Sequence, residues 1–268
     1  MTISEYYESY IEKGEHIVIV LGDVHRRWEE AARAIDRAGL YGRTIIQVGD
    51  FGLGFGDLDR ERQQVAALGA ALYRRRNRLL IVRGNHDNPA LFRAPTELAG
   101  GAIRLTPDYS LETVEGRKVL LVGGAVSVDR KLRHTGRSYW SDEAFVLDLT
   151  RLAALDLSDL DAVITHTAPG VAPPPLDRYN HFIAIAAAAP APSRYRAALQ
   201  RLYTRDETLA DDVGAERRAL DALYRAIRTR TAIPHWIYGH FHHHATAVYE
   251  DTRFTALSKL QMLEIGKR

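Results

Sequence analysis

"HIVIVLGDVH", residues 16 to 25, runs five aliphatic side chains, Ile17 to Leu21, straight into a glycine, an aspartate and a histidine. An unbroken apolar run with no polar alternation marks a strand buried on both faces, as in a parallel sheet covered by helices. The pattern returns as "TIIQVGD" at 44 to 50, "LLIVRGNHD" at 79 to 87, "DAVITH" at 161 to 166 and "HWIYGH" at 235 to 240. Between the first three runs the spacing predicts helices. One covers Arg27 to Ala38, with Gly39 as its stop; the other covers Leu58 to Asn77, with Asp57 or Asp59 as its cap. The first half therefore reads βαβαβ.

The middle of the chain changes character. "SLETVEGRKVLLVGG", 110 to 124, places two strand-like runs about Glu115 and Gly116 and predicts a hairpin, and a second hairpin is expected within Ala247 to Ser258. Strand–helix units joined to hairpins indicate an α/β protein with mixed sheets. No internal repeat is visible. Gly170 to Pro234 stands apart, opening with "PGVAPPPLDRYNH" and continuing through "AAAAPAPS" into Ala- and Arg-rich helical sequence. It reads as a helical insertion within one domain spanning 1 to 268, either packed on an edge or serving as a lid over a site.

Bulk properties narrow the function classes. With 268 residues, 46% of them hydrophobic, the chain can bury a sizeable core. A formal net charge of +2 argues against a nucleic-acid coat or a membrane-surface protein, although only five of the 36 basic residues are lysines. There is no cysteine, which excludes disulfides, thiolate metal sites and a cysteine nucleophile, so any metal must be held by nitrogen and oxygen. No stretch reaches the roughly 20 apolar residues of a membrane span, and the N-terminus lacks the pattern of a signal peptide. A soluble cytoplasmic protein is expected.

The buried runs share one further property: each ends in residues able to ligate metal. These are Asp23 and His25, Asp50, Asn85 and His86, His166, and His240 and His242. In α/β folds ligands gather beyond the carboxyl ends of strands, so the five places are expected to converge in one crevice. Each alone has a duller reading as a helix cap or a turn. Together they are hard to explain structurally, because buried strands do not otherwise need carboxylates and imidazoles at the same end. In "GHFHHH", 239 to 244, residues two apart on an extended segment face the same way, so His240 and His242 can enter one site. His243 and His244 read as ordinary loop or edge residues, as do His16, His134, His181 and His235.

The ordered blocks D-x-H, G-D, G-N-H-D, H and G-H-x-H resemble the calcineurin-like metallophosphoesterases, in the form seen in bacterial members, over Asp23 to His242. The resemblance implies a four-layer α-β-β-α sandwich of two mixed β-sheets flanked by helices. It also implies a dinuclear centre: Asp23, His25 and His242 on one ion, Asn85, His166 and His240 on the other, and Asp50 bridging both. Two divalent ions are implied as cofactors, with Mn²⁺ favoured and Fe, Zn, Co or Ni also compatible with these donors. A hydroxide bridging such ions would attack phosphorus in line, hydrolysing phosphate mono- or diesters. By the same resemblance His86 is not a ligand but lies beside the scissile ester, where it stabilises the transition state or protonates the leaving oxygen. Asp87 either orients His86 or closes the turn.

Phosphate clamps are sought among arginines, whose fork matches phosphate oxygens. Arg26 and Arg83 lie near the blocks in sequence, with surface or salt-bridge roles equally open. The loop "GGAVSVDRKLRHTGRSYW", 123 to 140, resembles one in bacterial members and offers Asp129 and Arg133 as pocket residues. The eukaryotic-type serine/threonine phosphatases carry G-D-x-V-D-R-G where this chain has "GDFGLGFGD", which puts a phosphoprotein phosphatase in doubt. A nucleotide or other small phosphoester is the expected substrate. A nuclease of the same superfamily is the alternative, disfavoured by the absence of a basic track, and a metal-free scaffold is the reading from another class. Oligomeric state is not legible.

Overall fold

The computed structural model describes residues 17–172, 201–202 and 204–266. His16, His181 and positions 173–200 and 203 of the expected insertion lie outside the described residues. The first half follows the expected order: β1 (Val18–Leu21), α1 (Trp28–Arg37), β2 (Thr44–Gln47), α2 (Leu58–Arg74) and β3 (Arg78–Ile81). Two short strands then follow, β4 (Thr96–Leu98) and β5 (Ile103–Leu105), before the hairpin of β6 (Ser110–Val114) and β7 (Arg117–Val122). After α3 (Leu149–Ala153) and β8 (Leu160–Thr165) come α4 (Leu209–Arg228), β9 (His235–Tyr238), the second hairpin of β10 (Ala245–Tyr249) and β11 (Thr252–Ala256), and β12 (Met262–Ile265).

The strands form two six-stranded mixed sheets, ordered β12-β1-β2-β3-β5-β4 and β10-β11-β9-β8-β7-β6. In each the four central strands are parallel and both edge strands are antiparallel. The parity of the apolar runs explains the layering. Val18, Val20, Ile46 and Leu80 turn toward the other sheet and meet Val119, Leu121, Ile164 and Ile237 in one core. Their neighbours Ile19, Leu21, Ile45, Leu79 and Ile81 face outward onto α1 and α2 through Ala31, Ile35, Val65, Leu68 and Leu72. On the second sheet Leu120, Val163, Trp236 and Tyr238 face outward onto α4 through Val213, Leu220, Leu223, Tyr224 and Ile227. Both faces of β1, β2, β3, β7, β8 and β9 are thus covered, as their sequences require, and the result is the expected α-β-β-α sandwich. Within the segment expected as an insertion, α4 is one of these layers.

Boundaries differ from the sequence reading in small ways with physical causes. Asp57 is the cap of α2, accepting a hydrogen bond from the Arg60 amide at 2.9 Å. The helix ends at Arg74 rather than Asn77. Asn77 is instead a buried turn residue, accepting from the Arg43 amide and donating to the Leu40 carbonyl, both at 2.9 Å. The strands β4, β5 and β12 were absent from the sequence reading because Glu97, Arg104 and Glu264 interrupt them, leaving no unbroken apolar run of the kind that marks the equally short β1.

Candidate metal centre

All five blocks lie beyond the carboxyl ends of parallel strands: Asp23 and His25 after β1, Asp50 after β2, Asn85 and His86 after β3, His166 after β8, and His240 and His242 after β9. Three come from one sheet and two from the other, so the crevice lies at the shared end of the sandwich. Leaving the strands sharply takes unusual backbone. His25, Asp50, His240 and His242 have φ of 47°, 58°, 64° and 52°, a region sparsely populated by residues other than glycine and characteristic of functional loops. Two glycines allow the strand ends to close in. A Cβ on Gly84 would fall 2.0 Å from the Asp50 backbone nitrogen, and one on Gly239 would fall 1.9 Å from the Asp23 carboxylate.

The donor atoms converge on two neighbouring points. Around the first, His242 Nε2 lies 3.1 Å from Asp23 Oδ2, and His25 Nε2 lies 2.6 Å from His242 Nε2, 3.7 Å from Asp23 Oδ2 and 3.4 Å from Asp50 Oδ2. Around the second, His166 Nε2 lies 3.1 Å from Asp50 Oδ1 and 3.0 Å from Asn85 Oδ1, and the His240 ring sits 5.0 Å from that of His166. The two carboxylate–imidazole groupings are Asp23, His25, Asp50 and His242, and Asp50, His166 and His240, each with its donor atoms within 4.8 Å of one another. Asp50 belongs to both. An ion bound roughly 2.1 Å from each donor would hold adjacent donors about 3.0 Å apart in octahedral and about 3.4 Å apart in tetrahedral geometry. The carboxylate–imidazole and Asn85–imidazole spacings of 3.0–3.7 Å lie near those edges, the 2.6 Å between His25 and His242 is shorter, and each grouping has the donor chemistry to hold a cation.

Electrostatics favours the same reading. Asp23 and Asp50 are 0% and 1% exposed, so two carboxylates are buried among imidazoles. Burial opposes the charge of Asp50, but His166, His86 and His25 hold its carboxyl well below the usual range. Desolvation keeps His25 neutral, lowering it to about 4, and pushes His240 well down. His166 is the exception: burial lowers it, but Asp50 beside it outweighs that and it reaches about 9. Its Nδ1–H donates to the Val48 carbonyl at 3.0 Å, which directs Nε2 toward Asp50 and Asn85.

The remaining expected site residues separate by geometry. The His86 ring is stacked on Phe55 at 5.7 Å and edge-on to His25 at 5.1 Å, without joining either donor grouping. Asp87 is fully buried, and its carboxylate accepts from the amides of Phe51, Gly52, Leu53 and Gly84 at 2.7–3.2 Å. His86 is not among these partners. Arg26 stands at the rim, its guanidinium 2.8 Å from Glu61 and 5.5 Å from the Trp28 ring centre. Arg83 is bound to Asp108 and to the carbonyls of residues 142 to 144.

Arg133 is held within the protein on several sides. Its side chain, only 7% exposed, donates from Nη2 to the Asn85 backbone carbonyl at 3.0 Å and to Glu143 at 3.4 Å, from Nη1 to Ser127 Oγ and Glu143, and from Nε to the Ser138 carbonyl. A guanidinium has five N–H donors, and all are engaged here, so it stands behind Asn85 instead of offering a free fork. Asp129 lies 3.5 Å from it. Ser127, Glu143 and Phe55 were missed in the sequence, where no motif spacing marks them. His244 Nδ1 lies 3.1 Å from the Ala256 carbonyl, and neither it nor His243 joins the donor groupings.

Comparison with known proteins adds three findings. A family model described as calcineurin-like phosphoesterase matches residues 16–244. No curated protein matches the chain. Among solved structures the chain is similar to the phosphopantetheinyl hydrolase from Mycobacterium tuberculosis, with 14% sequence identity and a TM-score of 0.42, over 90% of this chain and 89% of that one.

Proposed function

The chain belongs to the calcineurin-like phosphoesterase family, and from that premise we infer that it hydrolyses small phosphate mono- or diesters with two divalent cations, Mn²⁺ foremost, held by Asp23, His25, His242, Asp50, Asn85, His166 and His240. The observation that carries this reading is the placement of Asp50 within both donor groupings, one oxygen toward His25 and the other toward His166. Such cations, when bound, supply Lewis acidity toward phosphoryl oxygens and make hydroxide available near neutral pH.

The protein's own groups then have separable tasks. Four imidazoles and the Asn85 carboxamide are neutral donors, so two carboxylates oppose the four positive charges of the cations and the crevice attracts phosphate. Asn85 is 2% exposed and His166 0%, which supports a deep second position, with His25 and His242 on the more accessible side. His86, aligned by Phe55, is positioned to stabilise charge or hand a proton to a leaving oxygen. Asp87 keeps the loop after β2 against the loop after β3, and so keeps Asp50 facing Asn85.

The protein supplied with Mn²⁺ is expected to release p-nitrophenol from p-nitrophenyl phosphate or its bis ester, and EDTA is expected to abolish release. A protein that carries two ions by elemental analysis and yet turns over neither ester, nor any of a panel of phosphomonoesters, cyclic nucleotides and dinucleoside polyphosphates, would overturn the reading.

A further inference from the structure

We propose that Ser127, Glu143 and Arg133 form a positioning device that decides which atom of the Asn85 carboxamide faces the second cation position. The inference rests on the two-cation reading above. A carboxamide has two ends of nearly equal size and opposite chemistry: only Oδ1 can bind a cation, and an inverted group would present N–H donors to it. Something must select the orientation.

The selection follows from proton counting. Asn85 Nδ2 donates to Ser127 Oγ at 2.8 Å, and Oδ1 is thereby aimed at His166 Nε2, 3.0 Å away. A serine hydroxyl has one proton, and Ser127 donates it to Glu143. With its proton committed, Oγ has only lone pairs left, and it accepts from Asn85 Nδ2 on one side and Arg133 Nη1 on the other. The chain of donors therefore runs one way, from amide through hydroxyl to carboxylate. Were Glu143 absent, the hydroxyl could turn its proton toward Asn85 and favour the inverted amide.

Arg133 closes the device. Its Nη2 holds the Asn85 backbone carbonyl at 3.0 Å, and its Nη1 holds Glu143 at 3.3 Å, while the Trp140 amide donates to the other Glu143 oxygen at 3.2 Å. The same guanidinium lies 5.5 Å from the centre of the Phe55 ring, which stacks on His86. Ser127 is 1% and Glu143 2% exposed, so water does not compete for these bonds. Burial, offset by Arg133 and Ser127, raises Glu143 to about 7, so the direction of the chain is best tested at pH 8, where the carboxyl is ionised.

The test is Mn²⁺ titration calorimetry at pH 8 on the whole chain, with hydrolysis of p-nitrophenyl phosphate as a second readout. In Ser127→Ala, one of the two Mn²⁺ steps is expected to weaken about 10- to 100-fold with the other unchanged, and Ser127→Thr is expected to restore it. Both steps unchanged in Ser127→Ala would overturn the proposal, as would equal weakening of both with a matching loss of thermal midpoint, the signature of a merely structural role. Arg133→Lys keeps charge but loses the fork, and is expected to lower kcat at least tenfold with KM within threefold. A raised KM and weakened inhibition by inorganic phosphate at unchanged kcat would instead make Arg133 a substrate clamp. A wild-type protein that binds two Mn²⁺ but hydrolyses nothing would remove the functional reading and leave the calorimetric test intact. One that binds fewer than two ions would end both.

Discussion

Asp50 shows how much one side chain is asked to do: it follows β2, turns the backbone into the left-handed region at φ 58°, and sends its two oxygens to different partners. Asparagine tolerates that backbone well, so Asp50→Asn removes the charge without the strain another residue would add. The variant is expected to hold fewer than two ions per chain by elemental analysis and to lose turnover at least a hundredfold. His86→Ala is expected to keep both ions and lose roughly 10²- to 10⁴-fold in kcat. Full metal content in the Asp50 variant would refute its assignment to both positions. His166 sets the pH response: below about 9 it carries a proton on the nitrogen that faces the second position, and a cation must displace it. Loading at pH 7.5 should release about one proton, and affinity should fall as pH drops. Calorimetry in two buffers of different ionisation enthalpy checks this, and no buffer dependence would contradict it.

Among the elements, α4 matters most for the loop that follows β7. From the helix, Glu216 accepts from the amides of Val126 and Phe145 at 2.7 and 3.3 Å, and Asp212 pairs with Arg130 at 2.6 Å, so both ends of the loop carrying Ser127 and Arg133 are tied to one helix. Burial raises Glu216 to about 7, with the two amide bonds working against the shift. Its folded value lies above the unfolded one of about 4.5. The associated stability is therefore complete below pH 4.5 and is lost as pH rises through 7, about 3 kcal/mol at most. Glu216→Gln keeps an acceptor oxygen without a titrating charge, so its stability relative to the wild type should rise between pH 5 and pH 8. Urea unfolding at the two pH values measures the difference, and a constant difference would show that Glu216 does not titrate in this window. None of this was legible in the sequence, where Glu216 sits among alternating charges on a helix and nothing indicates that it is buried.

Across the whole molecule, the donor residues join both sheets at one end of the sandwich, so a bound cation holds only the folded arrangement. Ligand at 100 times its dissociation constant adds about 2.7 kcal/mol per site. For a chain of this length EDTA should lower Tm by roughly 5–10 °C, and Mn²⁺ or another divalent ion should restore it. A scan showing no shift would mean that the cations do not bridge the sheets. Among the described residues no helix is long and apolar enough to cross a membrane. The long apolar strands, the two hairpins and the gathering of the polar blocks at one end of the sheets were readable because each depends on local rules: unbroken apolar runs for doubly buried strands, a turn between two strand-like runs, and polar side chains at the same end of every run. Local sequence could not reveal that α4 is a layer of the sandwich, that Arg133 and Asp87 spend their polar groups inside the protein, or that Ser127 and Glu143 stand behind Asn85. Those facts depend on which distant backbone amides and carbonyls come within 3 Å of a side chain, and only the packing of the two sheets against their helices determines that.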